Sequence, residues 1–325
     1  MEGKARIAAG ASPATSLGEV TVVIPFYNRS ALARRLLDSI VKQTHKPAAV
    51  IFVDNGSSEG EVEALKRVIS TFSSAVPVRY VATERHGNAN IARSLGMRLA
   101  QSRYVAFLDS DDWWESNHLE VSLKILQMAG KSGVYSGSII RSNVSHTNRS
   151  FDINMLPTPF HLLFSREGWC AQTSTYVVDK ERIGGVDWDL RLKRHQDYDF
   201  FLNVAYNAQG WAFNPHATGN LDRNDRSKGR NFDFRSMIRF LHKWRPKFPE
   251  SCLRTYLLLQ MDACVISGAP NMYYRYYRAL YISLDRTAKS LLVSSKYFRS
   301  TRIKLIEASK QLGIYVLLKR MRGRA

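Results

Sequence analysis

In the first third of the chain, short runs of β-branched residues alternate with longer segments whose apolar residues recur at helical spacing. The runs VTVVIP, AAVIFVD, VRYVAT and RYVAFLD are each typical of a buried strand, and a helical segment follows each of them. Four repeats of strand then helix indicate an α/β domain with a mainly parallel, Rossmann-like sheet that is flanked by helices on both faces. With 325 residues, 45% of them hydrophobic, the chain can bury such a core.

Polar segments follow three of the predicted strands. They are PFYN at 25–28, DNGSS at 54–58 and DSDD at 109–112. Ligands of open parallel sheets bind beyond the carboxyl ends of the strands. We therefore expect the three segments to meet at one rim of the sheet and to form the functional site there.

The third segment carries three carboxylates in four positions, Asp109, Asp111 and Asp112. Capping of the next helix explains one Asp, but three repel one another unless a cation or hydrogen-bond donors compensate. Hard oxygen ligands suit Mg²⁺ or Mn²⁺, and Mg²⁺ takes one or two protein carboxylates together with substrate phosphates. The motif therefore predicts a divalent metal site, with helix capping as the alternative. Asp112 receives no role at this point.

The segments VTVVIPFYNR, VDNGSS and FLDSDDWW, in this order and spacing, resemble the family 2 glycosyltransferases, and the resemblance covers about residues 19–225. It implies the GT-A fold and a nucleotide-diphosphate sugar as donor. It also implies that Asp54 hydrogen-bonds the base, usually uracil, that Asp111 binds the metal directly, and that Asp109 lies near the ribose. The residues expected to bind the nucleotide sugar are Pro25, Tyr27, Asn28, Asp54, Arg85, Arg93 and Asp109, and those expected to hold the metal are Asp111 and Asp109.

Arg85 and Arg93 belong to TERHGNANIARSLGM, where the family often has a Gly followed by Ala-Arg-Asn. Gly87 and Arg93 match this pattern, whereas Ser94 replaces the usual Asn. Both arginines suit contacts to a diphosphate or a base. The alternative is that they are solvated helix side chains, because Arg is usually exposed.

A second motif, RHQDYDFFL, starts a predicted helix. At this point the family has Glu-Asp or His-Gln-Asp, and the resemblance implies that the Asp, here Asp197, is the catalytic base. Inverting transfer needs one carboxylate that takes the proton of the acceptor hydroxyl as its oxygen attacks the anomeric carbon. The alternatives are a helix cap for Asp197 and an exposed first-turn acid for Asp199.

Further residues are candidate acceptor or lid contacts. His195 is expected to be a hydrogen-bonding neighbour of the base rather than a metal ligand. Trp188 precedes the base in a loop and could stack on a sugar, although Trp is commonly a core residue. For the basic loop LDRNDRSKGRN there are two interpretations. It either closes over the diphosphate, as this region can in related enzymes, or it is a solvated linker between domains. The full set of these candidates is Trp188, His195, Gln196, Arg223 and Arg226.

The formal net charge of +19 implies an anionic partner, such as a phosphorylated substrate, an acidic membrane surface or nucleic acid. Lys and Arg crowd the segment from Arg223 to Arg324. We expect a helical, basic region at 231–325 whose last part either lies on an anionic leaflet or packs Ile303, Ile306 and Leu312 onto the catalytic domain.

The predicted organisation is a disordered leader at 1–18, a catalytic domain at 19–230 and this helical region. The catalytic domain divides into a nucleotide-sugar half at about 19–130 and an acceptor half at about 131–230. The leader lacks the apolar core of a signal peptide, and no stretch approaches the roughly 20 apolar residues that span a bilayer. We therefore expect a cytoplasmic protein, peripheral at the inner face of the cell membrane.

The predicted function is an inverting, metal-dependent glycosyltransferase of the non-processive, bacterial surface-polysaccharide type. It would move one sugar from a donor, which we expect to be UDP-linked, to a glycan or lipid-linked oligosaccharide. The sequence lacks the Q-x-x-R-W motif of processive synthases. One alternative is a nucleic-acid-binding protein, which the aromatic and basic residues interleaved from Tyr273 to Tyr281 suggest, although three carboxylates at the main rim disfavour it. The other is a non-catalytic relative.

Overall fold

The computed structural model describes residues 17–72, 74–142, 145–165, 171–222 and 232–311, so the predicted leader falls almost wholly outside the described residues. The elements of the first part of the chain are β1 (Val20–Phe26), α1 (Ser30–Val41), β2 (Ala49–Asn55), α2 (Glu59–Ser70), β3 (Val78–Thr83), α3 (Asn90–Leu99), β4 (Tyr104–Phe107), β5 (Trp113–Trp114) and α4 (His118–Ala129). Those that follow are β6 (Gly133–Ser142), β7 (Ser145–Arg149), α5 (Pro159–Phe164), β8 (Val177–Asp179), α6 (Gln196–Asn207) and β9 (Trp211–Asp222). The C-terminal helices are α7 (Phe234–Trp244), α8 (Glu250–Ile266), α9 (Asn271–Leu284), α10 (Ala288–Val293) and α11 (Lys296–Gln311).

Strands β3, β2, β1 and β4 lie side by side in this order, and all are parallel. Successive side chains of β1 point to opposite faces, so that Val22 packs in one hydrophobic cluster and Val23 in another. Helices α1 and α2 cover the face of Val22, and α3 covers the face of Val23. The predicted α/β architecture with helices on both faces is confirmed.

One glycine determines how closely α3 approaches the sheet. A Cβ atom on Gly96 would overlap the side chain of Val23 in β1. The missing side chain therefore lets the helix lie against the strand. This close packing holds Arg93, on the same helix, near the carboxyl ends of the strands.

Beyond β4 the sheet becomes mixed, with the order β8, β6, β9 and β5. Strand β8 is antiparallel to β4 and to β6, whereas β9 runs parallel to β6. The sequence predicts a polar loop at 142–149, but residues Ser145–Arg149 form β7, which pairs with β6. The backbone N–H and C=O groups at the end of β6 need hydrogen-bond partners, and the polar strand β7 supplies them at a solvated edge of the sheet.

The C-terminal helices share the larger hydrophobic cluster with the sheet. The cluster runs from Phe107 of β4 through Phe200 of α6 to Trp244, Tyr256 and Tyr277 of α7, α8 and α9, and all five are at most 2% exposed. The predicted helical character of this region agrees with the structure. The domain divisions at about 130 and 230 stay predictions.

Helix α11 is fixed to α8 by a buried ion pair. Arg299, 4% exposed, binds the carboxylate of Asp262 and donates to the carbonyl of Leu258 at 3.0 Å. Ile303 and Ile306 are partly buried, and Leu312 lies outside the described residues. Among the helices that the structure describes, none combines the length and apolar character needed to cross a membrane.

Candidate active site

The parallel register brings the polar strand ends together. Phe26 of β1 lies beside Asp54 of β2, and Val23 lies beside Phe107 of β4, two residues before Asp109. The three segments singled out in the sequence therefore meet at one rim.

Asp54, the second-to-last residue of β2, is buried, with 2% of the residue exposed. Its Oδ1 accepts hydrogen bonds from the backbone N–H of Ser57 at 3.1 Å and from the Ser57 hydroxyl at 2.5 Å. Its Oδ2 accepts from the hydroxyl of Tyr80 at 2.7 Å. Burial, followed by this hydrogen bond and the negative charge, raises the pKa of Tyr80 above its ordinary value. Two carboxylate oxygens have about four acceptor positions, so Asp54 retains capacity for a ligand.

Sequence reasoning did not identify Tyr80. Its place in VRYVAT, one strand away from Asp54 in a parallel sheet, is the signal that could have found it.

Tyr27 and Arg85 form an exposed pair beside Asp54. The Arg85 guanidinium lies 3.3 Å from the centre of the Tyr27 ring, and Tyr27 is 38% exposed. A Cβ atom on Gly56, which has φ of +75°, would lie 2.8 Å from the Arg85 backbone nitrogen. Glycine at 56 therefore allows the loop of Arg85 to pack against the turn after β2.

Asn28 connects the ends of β1 and β2. It adopts φ of +45°, which Asn tolerates better than most residues. Its Oδ1 accepts from the Ser58 N–H at 2.9 Å, and its own N–H donates to the Ser57 hydroxyl at 3.0 Å. Pro25, buried within β1, precedes this junction. Two hydrogen bonds of Asn28 thus hold the ends of the first two strands together.

Different arginines neutralise the first two carboxylates of the DSDD segment. Arg93 contacts Oδ1 of Asp109 through Nη2 at 2.6 Å, and Arg29 lies 3.4 Å from Oδ2 of Asp111. Asp111 is 5% exposed, whereas the side chain of Asp109 is 30% exposed. These pairs explain how the carboxylates coexist near one another.

Asp112 has a structural role that the sequence did not reveal. Its Oδ2 accepts from the hydroxyl of Ser174 at 2.6 Å, and its Oδ1 accepts from the N–H of Asp222 at 3.1 Å. It thus connects the end of β9 to the segment before β8. Trp114 reinforces the same connection, because its indole N–H donates to the carbonyl of Ser174 at 2.6 Å.

Arg93 is not the solvated side chain that the alternative interpretation predicted. It is 4% exposed and lies 4.8 Å from the ring centre of Trp188. Its Nε and Nη1 have no hydrogen-bond partner among the described residues. Trp188 is itself 2% exposed and stacks on Phe200, with 4.1 Å between the ring centres. Trp188 is therefore a core residue that packs beneath Arg93, and its side chain is not exposed for the acceptor contact considered from the sequence.

Asp197 lies in the first turn of α6 and lines the same cavity as Asp109 and Asp111. The cavity has a volume of about 300 Å³. Burial raises the pKa of Asp197, and the positive charge of Arg93 partly offsets this effect. The lining has two parts. The first, the donor wall, consists of Arg93, Asp109, Asp111 and Asp112. The second, the base wall, consists of Lys193, Arg194, His195, Gln196, Asp197 and Tyr198.

His195 joins the base wall to an aromatic cluster. Its ring stacks on that of Tyr198 at 5.5 Å and lies 5.1 Å from that of Phe240. Burial lowers the pKa of His195 to about 3, so the ring is neutral at pH 7. Its Nε2 has no hydrogen-bond partner among the described residues, whereas a side-chain hydrogen bond with Gln260 partly offsets the lowering of its pKa. The role of His195 as a hydrogen-bonding neighbour of the base stays a prediction. Gln196 lines the cavity beside it, with a buried Oε1 that also has no partner there.

Asp199, expected as an exposed acid, is fully buried. It binds Lys243 at 2.8 Å and accepts from the indole N–H of Trp244 at 2.8 Å and from Asn203 at 2.9 Å. Lys243 and Trp244 end α7, so this network fixes the C-terminal region to the helix that carries Asp197.

The donor wall offers hard oxygen ligands for a divalent ion. No group of three or more His, Cys, Asp or Glu side chains with metal-binding geometry occurs in the described part of the chain. Mg²⁺ needs only one or two protein carboxylates when substrate phosphates complete its shell. The carboxylates of Asp109 and Asp111 fit this requirement. Arg223 and Arg226, the candidate lid residues, lie outside the described residues.

Comparison with known proteins agrees with this geometry. Residues 21–181 match the model of glycosyl transferase family 2. The chain is 34% identical over 187 residues to the putative teichuronic acid biosynthesis glycosyltransferase TuaG of Bacillus subtilis, an alignment that covers 57% of this chain and 71% of TuaG. The chain belongs to glycosyltransferase family 2.

Other family 2 relatives are longer than the matched region. The amylovoran biosynthesis glycosyltransferase AmsB of Erwinia amylovora is 32% identical over 193 residues, which cover 57% of this chain and 63% of AmsB. An uncharacterized glycosyltransferase of Rickettsia felis is matched over 33% of its length. The chain therefore spans less than two thirds of these relatives.

The family 2 fold recurs in a solved structure of TarS from S. aureus. That structure superimposes with a TM-score of 0.59 at 13% identity, covering 91% of this chain and 54% of TarS. The structure of TarS 1–349 in complex with UDP-GlcNAc superimposes with a TM-score of 0.58 at 14% identity, and the match covers 91% of this chain and 92% of that one. This likeness supports the GT-A type of fold.

Proposed function

We propose that this family 2 protein transfers a single sugar, with inversion, from a UDP-linked donor to a hydroxyl group of a glycan or lipid-linked oligosaccharide in polysaccharide synthesis. The observation that carries the proposal is the polar cavity whose lining contains both Asp109 and Asp111 of the D-x-D motif and Asp197 of the His-Gln-Asp motif. A transferase needs a place for charged donor phosphates and a base for the acceptor in one enclosed space.

The donor would lie across the rim with its base near Asp54. The remaining acceptor capacity of the Asp54 carboxylate suits the N–H of a uracil, and the Tyr27 and Arg85 pair offers a flat surface beside it. TarS 1–349 has been solved with UDP-GlcNAc and with UDP, which supports a uridine nucleotide here.

The diphosphate would extend from the rim towards the donor wall. Asp111, with Asp109, would hold Mg²⁺ or Mn²⁺, which when bound neutralises negative charge on the diphosphate as it leaves. Arg93 has two buried donors, Nε and Nη1, without partners among the described residues, and these suit phosphate oxygens.

Asp197 would act on the acceptor. Its carboxylate takes the proton of the acceptor hydroxyl while that oxygen forms a bond to the anomeric carbon, and the bond to the diphosphate oxygen breaks on the opposite face. Because burial raises the pKa of Asp197, the carboxylate is a stronger base than an exposed Asp. The positive charge of Arg93 opposes this rise and favours the ionised carboxylate.

A donor-hydrolysis screen tests the proposal. The purified chain is incubated with UDP-, GDP- and TDP-linked sugars in Mn²⁺, in Mg²⁺ or in EDTA, and release of the nucleoside diphosphate is measured. We expect release from one UDP-sugar that stops in EDTA. Release that is unchanged in EDTA would contradict the proposed dependence on a metal ion. If the chain neither binds any nucleotide sugar nor releases a nucleoside diphosphate from one, the proposed function is wrong.

The C-terminal helices supply a surface that suits an anionic membrane. Leu291, Leu292, Tyr297 and Leu305 are between 43% and 84% exposed. The same helices carry the cations Lys289, Lys296, Arg302 and Lys304, of which Arg302 is paired with Asp262. Apolar side chains among cations favour the interface of an acidic bilayer. We propose peripheral binding to such a surface, where a lipid-linked acceptor would be held.

Flotation with vesicles of phosphatidylglycerol and phosphatidylcholine tests this surface. Replacing Leu291 and Leu292 by Ser should reduce the bound fraction several-fold, because exposed apolar area is lost. Met128→Ser, a change at a residue that is 88% exposed on α4, is the matched control and should bind like the wild type. Equal flotation of all three proteins would contradict the assignment.

A further inference from the structure

Two cations on the base wall form no ion pair within the part of the chain that the structure describes. Lys193 and Arg194 line the cavity immediately before α6. Neither side chain forms a hydrogen bond or an ion pair with any residue that the structure describes; Lys193 is bound only through its backbone N–H, which donates to the Ser236 hydroxyl at 2.8 Å. Lys193 is exposed and Arg194 is partly buried.

The cations of the donor wall differ from these two. Arg93 is paired with Asp109, and Arg29, next to the donor wall, is paired with Asp111, so their charge is balanced in the absence of ligand. On the base wall, Asp197 is the one carboxylate beside two cations. The part of the cavity next to the base is thus locally positive and complementary to an anion.

This positive part is suited to the acceptor rather than to the donor. A base must lie within hydrogen-bond reach of the hydroxyl that it deprotonates, so groups next to Asp197 in the chain meet the acceptor. The donor diphosphate already has the metal ion that Asp109 and Asp111 would hold, together with the Arg93 donors Nε and Nη1 that have no partner among the described residues. Gln172 and Thr173 add neutral polar groups to the same cavity.

We propose that the acceptor carries an anionic group, a carboxylate or a phosphate, close to its reacting hydroxyl, and that Lys193 and Arg194 bind it. This inference rests on the proposed function and names the acceptor class. Binding the anion would orient the hydroxyl towards Asp197, and glycans without a charge would be selected against.

Binding measurements with matched neutral and charged probes test the inference. The probes are p-nitrophenyl β-glucoside, p-nitrophenyl β-glucuronide and p-nitrophenyl β-glucoside 6-phosphate, each titrated calorimetrically in the presence of UDP and Mn²⁺. We expect at least one charged probe to bind roughly tenfold tighter than the neutral one, which is the size of one charge-assisted contact. The carboxylate and phosphate probes then distinguish an acidic sugar from a phosphorylated acceptor.

The double variant Lys193→Gln with Arg194→Gln should remove this difference and leave UDP affinity within about twofold of wild type. Lys193→Arg with Arg194→Lys should retain it, and Lys131→Gln, a change at an exposed cation outside the cavity lining, is the control. Equal binding of neutral and charged probes by the wild type would overturn the inference. So would a large loss of UDP affinity in the double variant, because the cations would then serve the donor. Failure of the chain to bind UDP at all would instead contradict the proposed function.

Discussion

The donor wall and the base wall hold their carboxylates in different ways. On the donor wall, Asp109 and Asp111 each face an arginine and Asp112 accepts two hydrogen bonds, so the negative charge is compensated by fixed partners. On the base wall, burial raises the pKa of Asp197. The first arrangement keeps charge in place for a cation and a diphosphate, and the second keeps a carboxylate ready to accept a proton.

The supports of the two walls also differ. The donor wall is built from α3 and from the segment that follows β4, which belong to the sheet and its cover. The base wall depends on the C-terminal helices, because Asp199 binds Lys243 and Trp244 of α7 and the His195 ring packs against Phe240. The C-terminal region therefore positions the proposed base as well as completing the core.

The largest expected effect is on turnover in Asp197→Asn. Loss of the base should lower kcat for transfer by about 10² to 10⁴-fold, since general base catalysis contributes that much. Initial rates with the donor identified by the hydrolysis screen measure it. Near wild-type turnover would show that another group takes the proton.

The next effect is on the free energy of unfolding, which substitutions of two aspartates in α6 should change in opposite directions. Asp199→Asn breaks a buried pair with a partly exposed lysine, so we expect unfolding free energy to fall by about 2 kcal/mol. Asp197→Asn should instead increase stability at pH 7. The folded-state pKa of Asp197 is raised, so its ionisation begins to cost stability above the unfolded-state pKa of 3.8 and costs the full amount above the folded-state pKa, whereas Asn does not ionise.

Urea unfolding of both variants and of the wild type at pH 7 measures this contrast. A decrease of similar size in both variants would remove the distinction between the two carboxylates. The gain of Asp197→Asn should disappear below pH 4, where the wild-type carboxyl is protonated in the folded and unfolded states.

The effect of pH on the transfer rate should be smaller than the two preceding effects, but it reports directly on the ionisation of Asp197. The rate requires ionised Asp197, so kcat should fall as the pH drops through its raised pKa, and the midpoint should lie above the ordinary Asp value of 3.8. Arg93→Gln should move this midpoint higher, because the positive charge that favours the ionised form is lost. A midpoint at or below 3.8 would contradict the burial of the base.

The smallest effect is expected at the base-binding corner of the rim. Tyr80→Phe removes one hydrogen bond to Asp54 and should weaken UDP binding by a few-fold, about 1 kcal/mol or less. Calorimetric titration with UDP measures the change. Tyr104→Phe, a change at a tyrosine of β4 with no role in the donor site, is the control.

The sequence was most informative where function depends on strand ends. The four parallel strands and the meeting of Asn28, Asp54 and Asp109 follow from local patterns and from one rule of parallel sheets. Asp199 was misjudged because its partner Lys243 lies 44 residues away in the chain. The same reason applies to the burial of Trp188 and to Tyr80, whose roles depend on which elements pack together.

In the proposed mechanism, donor binding belongs to the donor wall and proton abstraction to the base wall of one cavity. Titration of Asp111→Asn and Asp197→Asn with UDP, in Mn²⁺ and in EDTA, tests it most directly. We expect Asp197→Asn to keep wild-type, Mn²⁺-dependent UDP affinity, and we expect Asp111→Asn to bind UDP equally weakly in both conditions. If Asp197→Asn loses the Mn²⁺-dependent affinity as Asp111→Asn does, or if Asp111→Asn retains it, the division between the two walls is contradicted.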